Sequence, residues 1–333
     1  MDRVKYTSPE TTPSTQRHTL VGPVATGVLA SMFFSITFVI NQELGQTGHS
    51  WQWTAALRYF FMVPLLYGLL RVSRRSSHDP LRWVLRSRLW TWIWGGTLGF
   101  GLFYAPLTFA AQYGPAWMVA GTWQITIVAG GLLEPLLRRR SASSVSRSRV
   151  PWHAILYSLI ILLGVGMLQF ARAQGIGHQM LVVGLPVLLA ALAYPVGNRL
   201  MLRILPRETT ALERTFGMTV GSLPFWLGVA LWGQLNYGWP TAGQIVQAGI
   251  VALSSGVIAT ILFYQATGRA YDRPHLLAAV EATQAAEVLF SLAGSILFLH
   301  QSWPSPQAIL GIIVIIAGMI FHSYYGSIHK HTI

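Results

Sequence analysis

Ten apolar runs of about 20 residues each fill this chain and leave almost nothing else to fold. They are Leu20 to Ile40, Trp51 to Leu70, Leu89 to Ala110, Pro115 to Leu137, Trp152 to Phe170, Met180 to Leu200, Thr209 to Trp232, Gln244 to Gly268, Pro274 to Leu299 and Pro306 to Tyr324. A helix of that length crosses a hydrocarbon core about 30 Å thick. The spacing therefore predicts an all-α integral membrane protein with ten transmembrane helices. Composition agrees: 10% of the 333 residues are charged, well under the roughly 25% of soluble domains.

Positive charge marks every second gap between runs. Arg71, Arg74, Arg75, Arg82, Arg86 and Arg88 follow the second run, Arg138, Arg139, Arg140, Arg147 and Arg149 the fourth, and Arg199, Arg203 and Arg207 the sixth. Arg269 and Arg273 follow the eighth and Lys330 the last, whereas the intervening gaps are nearly bare of Lys and Arg. Short basic loops stay cytoplasmic, so both termini are expected in the cytoplasm of a multi-pass protein of the plasma membrane. Residues 1–19, polar and rich in Ser and Thr, read as a disordered cytoplasmic tail, and 325–333 as a second tail. The net charge of +13 suits anionic lipid headgroups, and no nucleic-acid motif accompanies it. Trp51, Trp53, Trp90, Trp92, Trp94 and Trp152 stand at run ends, where indole rings favour the headgroup zone.

An internal repeat runs through the chain. Leu102, Phe103 and Tyr104 recur as Leu262, Phe263 and Tyr264, and Gln124 recurs as Gln284 at the same offset of 160. At slightly smaller offsets Arg58 and Phe60 pair with Arg214 and Phe216, and Val39 and Asn41 with Val196 and Asn198. The matches imply two five-helix repeats, 20–170 and 180–324. Five is odd, so the second copy enters the membrane from the opposite side, giving inverted repeats about an axis in the membrane plane. Such a chain builds both halves internally; a monomer suffices, and a homodimer is compatible.

Polar residues inside the runs are the candidate functional groups. Glu281 and Glu287 lie in the ninth run with Gln284 between them. A charged side chain at membrane depth costs at least about 2.5 kcal/mol and by default marks a substrate or proton pathway. The competing reading is that these acids are protonated or paired with Arg58 or Arg214 to hold the bundle. Glu134 and Glu213 lie near run ends, where snorkelling to water accounts for them. Arg58 and Arg214 are repeat-matched and suggest gate elements on opposite sides. Tyr104, Tyr264, Trp123 and Phe103 could hold a flat cation by charge and apolar body, and Gln124 falls near the axis beside Gln284. No His or carboxylate spacing suggests a metal, no Gly-rich loop suggests ATP, and no nucleophile and base suggest an enzyme. No cofactor is expected.

The Leu57-Arg58-Tyr59-Phe60 start of the second run and the segment Glu281-Ala282-Thr283-Gln284-Ala285-Ala286-Glu287, with the duplicated layout, resemble the drug/metabolite transporter superfamily in its ten-helix branch of multidrug resistance efflux transporters. The resemblance covers residues 20 to 325 and implies export of small molecules driven by proton exchange. Two departures stand out: the proline common in the middle of the fourth helix of related transporters is replaced around Gln124, and the first run has no acid. The expected function is proton-coupled efflux of lipophilic or cationic compounds, with Glu281 or Glu287 carrying the proton. The alternatives are export of a neutral or anionic metabolite held by Arg58 or Arg214, and a non-transport membrane scaffold.

Overall fold

A computed structural model describes residues 13–73, 79–86, 89–130, 152–170, 180–206, 209–270 and 274–328, all-helical apart from turns and connections. Among them six helices are long and apolar enough to cross a membrane: Gly22–Gln46, Trp51–Val72, Leu181–Ile204, Ala211–Tyr237, Ala242–Ala270 and Ala279–Leu299. They fall on runs one, two, six, seven, eight and nine. Run five is the helix Trp152–Phe170 and run ten the helix Pro306–Ile328. The third is helical as Leu89–Gly96, turns through a π-helical segment Thr97–Gly101 and continues as Leu102–Ala110. The fourth opens as Ala116–Trp123 and resumes over 125–130; Glu134 and the basic cluster at 138–149 lie outside the described residues.

The first helix begins at Pro13 and the last reaches Ile328. Proline suits a first helical turn because the backbone donor it lacks would be unpaired there anyway.

The basic connection after the second run contains a short helix, Pro80–Arg86. Asp79 caps it: its carboxylate accepts from the backbone N–H groups of Arg82 and Leu81 and from the Tyr67 hydroxyl, each at 3.0 Å. These bonds, the one from Arg82 foremost, hold the Asp79 pKa below the ordinary value of 3.8. A depressed carboxylate stabilises the fold above its unfolded pKa and loses that contribution as pH falls through the folded one. Asp79→Asn is therefore expected to flatten the acid side of a melting-temperature profile below about pH 4 and to leave its neutral and alkaline parts parallel to wild type.

Glu213 also proves to be a capping residue. Its carboxylate accepts from the Thr210 N–H and hydroxyl, both at 2.8 Å, while the Thr210 hydroxyl accepts from the Glu213 N–H at 3.2 Å. This reciprocal box starts the Ala211–Tyr237 helix.

Helix packing follows a regular scheme. The second run packs on the seventh, the fourth on the ninth and the fifth on the tenth; the third contacts the sixth and seventh, and the first and second contact the eighth. Glycine sets the closest crossings. A Cβ on Gly221 would meet the Trp92 backbone carbonyl and one on Gly96 the Met218 carbonyl, so the third and seventh runs touch backbone to backbone. Gly164 and Gly311 do the same between runs five and ten, where a Cβ on either would lie 2.9–3.0 Å from the other's carbonyl oxygen. Small residues at crossings are what membrane helix pairs use where burial from water contributes nothing. The outer faces carry exposed Leu163, Leu231, Phe298 and Ile313, an apolar exterior suited to lipid.

The connections poor in Lys and Arg are joined to one another. His49 Nε2 lies 2.9 Å from Thr241 Oγ1, Gln112 Nε2 donates to the His49 carbonyl at 2.9 Å, and Gln244 Nε2 donates to the Ser50 carbonyl at 2.8 Å. The loops between runs one and two, three and four, and seven and eight thus meet at one end of the bundle.

Candidate functional site

The polar groups inside the bundle are positioned by interruptions in its helices. In the fourth run the helix breaks at Gln124, whose N–H bonds to the Gly121 carbonyl while its own carbonyl accepts from Ile127 N–H. In the ninth, the helix tightens into a 3-10 turn at Thr283–Ala285, around the repeat-matched Gln284. Ser31 of the first helix donates to the Thr283 carbonyl at 2.8 Å, which also accepts from the Ala286 N–H, so the tightened turn is tied to the first helix. Three residues per turn eclipse i and i+3, which brings Gln284 and Glu287 to one face. The third and eighth runs carry π-helical segments at Thr97–Gly101 and Ala252–Ala259.

These interruptions border a partly open cavity of about 820 Å³, counted together with the open space at its mouth. Runs one to four and six to nine line it, and runs five and ten stand outside. Its wall is largely aromatic. Phe103, Trp123 and Tyr194 form a triad with ring centroids 4.9 Å apart for Phe103 to either partner and 5.5 Å for Trp123 to Tyr194. Thr37, Thr126, Thr215, Ser255 and Thr260 supply hydroxyls, with Thr37 Oγ1 2.8 Å from Ser255 Oγ.

Two ionisable side chains, one acidic and one basic, open onto this space. Glu287 is 3% exposed and makes no hydrogen bond or ion pair with a described residue. Arg58 is 6% exposed, its guanidinium carbon 4.0 Å from the Tyr104 ring centroid and its Nη1 3.5 Å from Thr37 Oγ1. Arg58 Nε is buried without a partner. The Tyr104 hydroxyl is held by the Asn41 amide at 3.1 Å. The repeat-matched pair shows the same arrangement more loosely, with Arg214 5.6 Å from the Tyr264 ring centroid.

Of the residues singled out from sequence, Glu287, Gln284, Trp123, Tyr264 and Arg58 line the cavity. Tyr104 lies fully buried beneath Arg58, and Gln124 is fully buried with its amide turned to the Ala120 carbonyl of its own helix. Arg214 stands behind the wall over Tyr264. Glu281 departs from expectation: its side chain is exposed and does not reach the cavity. Glu281 lies in the last turn of the helical segment Pro274–Ala282, just before the 3-10 turn. The expected common face of Glu281, Gln284 and Glu287 is thus divided.

Tyr194, Thr37, Thr215, Ser255 and Met62 were not foreseen. A signal existed for two of them, since the offset of 157 that carries Asn41 onto Asn198 also carries Thr37 onto Tyr194. Among the described residues no group of three His, Asp or Glu is placed to hold a metal ion. The arrangement can enclose a flat apolar molecule, engage charge of either sign and exchange a proton at one carboxyl.

The family model described as "Putative multidrug resistance efflux transporter" matches residues 21–328. The chain is 46% identical over 306 residues to the uncharacterized protein YjlA of Bacillus subtilis, covering 90% of this chain and 94% of that one. It is 41% identical over 262 residues to an uncharacterized 42.1 kDa protein of Shouchella clausii from the 3′ region of an intracellular alkaline protease, covering 78% and 69% respectively.

Proposed function

The chain belongs to the multidrug resistance efflux transporter family of the drug/metabolite transporter superfamily and is a multi-pass membrane protein; on that premise we propose that it exports small lipophilic compounds bearing positive charge, in exchange for protons, by alternating access. The observation that carries this reading is Glu287, an acid enclosed in the bundle, without a hydrogen-bond or ion-pair partner among the described residues, in an aromatic cavity. Such a carboxylate holds a cationic cargo or a proton but not both. A proton arriving from outside releases the cargo there, and its loss inside restores the site.

Alternating access requires two halves that rock about the site, and the packing scheme supports inverted repeats of residues 20–170 and 180–324. Exchanging each run with the one five places on maps two–seven, four–nine and five–ten onto themselves. It also turns three–six into eight–one and three–seven into eight–two, all of which are contacts of the fold. The paired breaks at Gln124 and Gln284 add to this, because discontinuous helices at the repeat interface characterise transporter sites. The hydrogen-bonded connections free of Lys and Arg form the outer end, and the basic connections the cytoplasmic end with both termini.

The test joins binding to transport. Lipophilic amines are screened for those that raise the melting temperature of the purified protein in alkaline buffer, since a ligand bound only to the folded state does so. The expected result is that this stabilisation disappears on acidification, and that the same compounds accumulate in proteoliposomes with an acidic lumen until an ionophore collapses the gradient. Accumulation indifferent to the gradient would overturn proton exchange.

A further inference from the structure

We propose that the cargo is a zwitterion: a flat molecule with an apolar body, a cationic group for Glu287 and an anionic group for Arg58. The inference rests on the transport reading above and narrows it. It follows from two charges that share one cavity without neutralising each other. No Arg58 nitrogen approaches a Glu287 oxygen within 4.0 Å, although both side chains are more than nine-tenths buried and line the same space. Arg58 rests on the Tyr104 ring, which steadies a guanidinium without removing its charge. Its Nε has no acceptor.

Charge complementarity then selects the ligand. A simple cation satisfies Glu287 but adds positive charge near Arg58, and near Arg214, whose Nε is also buried without a partner. A simple anion satisfies Arg58 and is repelled by Glu287. Like charges brought together in a desolvated site are strongly unfavourable, and a buried charge left unpaired is costly. A ligand carrying both signs relieves both groups at once, while Phe103, Trp123 and Tyr194 take its flat body. Protonation of Glu287 removes the partner of the cationic end only, so the proton controls one of two anchors.

The test uses the full-length purified protein and three probes on one aromatic body: norfloxacin, whose carboxylate and amine lie at opposite ends; its ethyl ester, a cation; and its N-acetyl derivative, an anion. By calorimetry in mildly alkaline buffer, norfloxacin is expected to bind at least about tenfold more tightly than either derivative. Arg58→Gln should reduce norfloxacin to the affinity of the ester while leaving the ester unchanged. Acidification should weaken norfloxacin and spare the N-acetyl compound. Equal affinity for ester and norfloxacin, equal losses for both in Arg58→Gln, or no saturable binding of any probe would overturn the proposal. If Arg58→Gln does not fold, the wild-type ranking decides. The predicted ranking without pH-driven movement in vesicles would defeat the transport reading alone, and pH-driven movement of the ester but not of norfloxacin would defeat the zwitterion alone.

Discussion

Glu287→Gln abolishes pH-driven transport: in proteoliposomes with an acidic lumen, accumulation of an amine that the wild-type protein carries is expected to fall to the level of protein-free vesicles. Glutamine keeps the shape and hydrogen-bonding capacity of the carboxyl but cannot take up or release a proton, so the step that exchanges proton for cargo is lost. The fold should not suffer. A charged side chain at membrane depth costs at least about 2.5 kcal/mol, and Glu287 has no described partner to offset it, so the variant should melt at or above the wild-type temperature. Glu281→Gln is the matched control. Its side chain is exposed and does not line the cavity, and its replacement should leave the acid-driven flux within about twofold of wild type. Full transport by Glu287→Gln would remove the mechanism, and equal loss in both variants would remove the distinction between the two acids.

A substitution far from any charge should be as damaging. Gly221→Val is expected to destabilise the protein by on the order of 3 kcal/mol, the upper range for overpacking, and so to lower its melting temperature and its recovery as a monodisperse species. The reason is that a side chain at Gly221 meets the backbone of Trp92 and Ile93. Backbone in a neighbouring helix cannot rotate away, so the third and seventh helices must separate. The two contribute Phe100, Phe103 and Thr215 to the cavity; separating them also loosens the site. Gly228→Val, on the same helix, provides the comparison: nothing lies within 4 Å of a Cβ there, and Val and Gly differ by only a few tenths of a kcal/mol in helix propensity. Equal stability of the two variants would show that the Gly221 crossing does not limit packing.

These two residues show how far sequence reasoning reaches in a membrane protein. Glu287 was conspicuous because an acid in an apolar run is costly wherever it points. Gly221 was not, because a glycine in a membrane helix is ordinary until its neighbour is known. Tyr194 was missed for a related reason: in a soluble protein the apolar face of a helix is its inner face, but here lipid and protein neighbours are equally apolar, and periodicity does not tell one from the other. Thr210 and Glu213 were a different kind of miss. The Thr-x-x-Glu pattern of a capping box was present, and Glu213 was read instead as an acid snorkelling from a run end. At Gln124 and Gln284 the repeat did not disclose that each lies at a break in its helix.

What sequence alone determined is the medium and the inventory: runs long enough to cross lipid, basic residues in every second gap between them, and a handful of polar groups whose depth makes them costly. Those properties are local sums of transfer free energy and need no neighbours. Only the tertiary structure decided which of these groups share a space, that Glu287 faces the cavity while Glu281 faces out, and that Arg58 lies against Tyr104 without meeting the acid. Such choices depend on how closely one helix approaches another, and that distance is set by glycine contacts and helix breaks between segments remote in the chain.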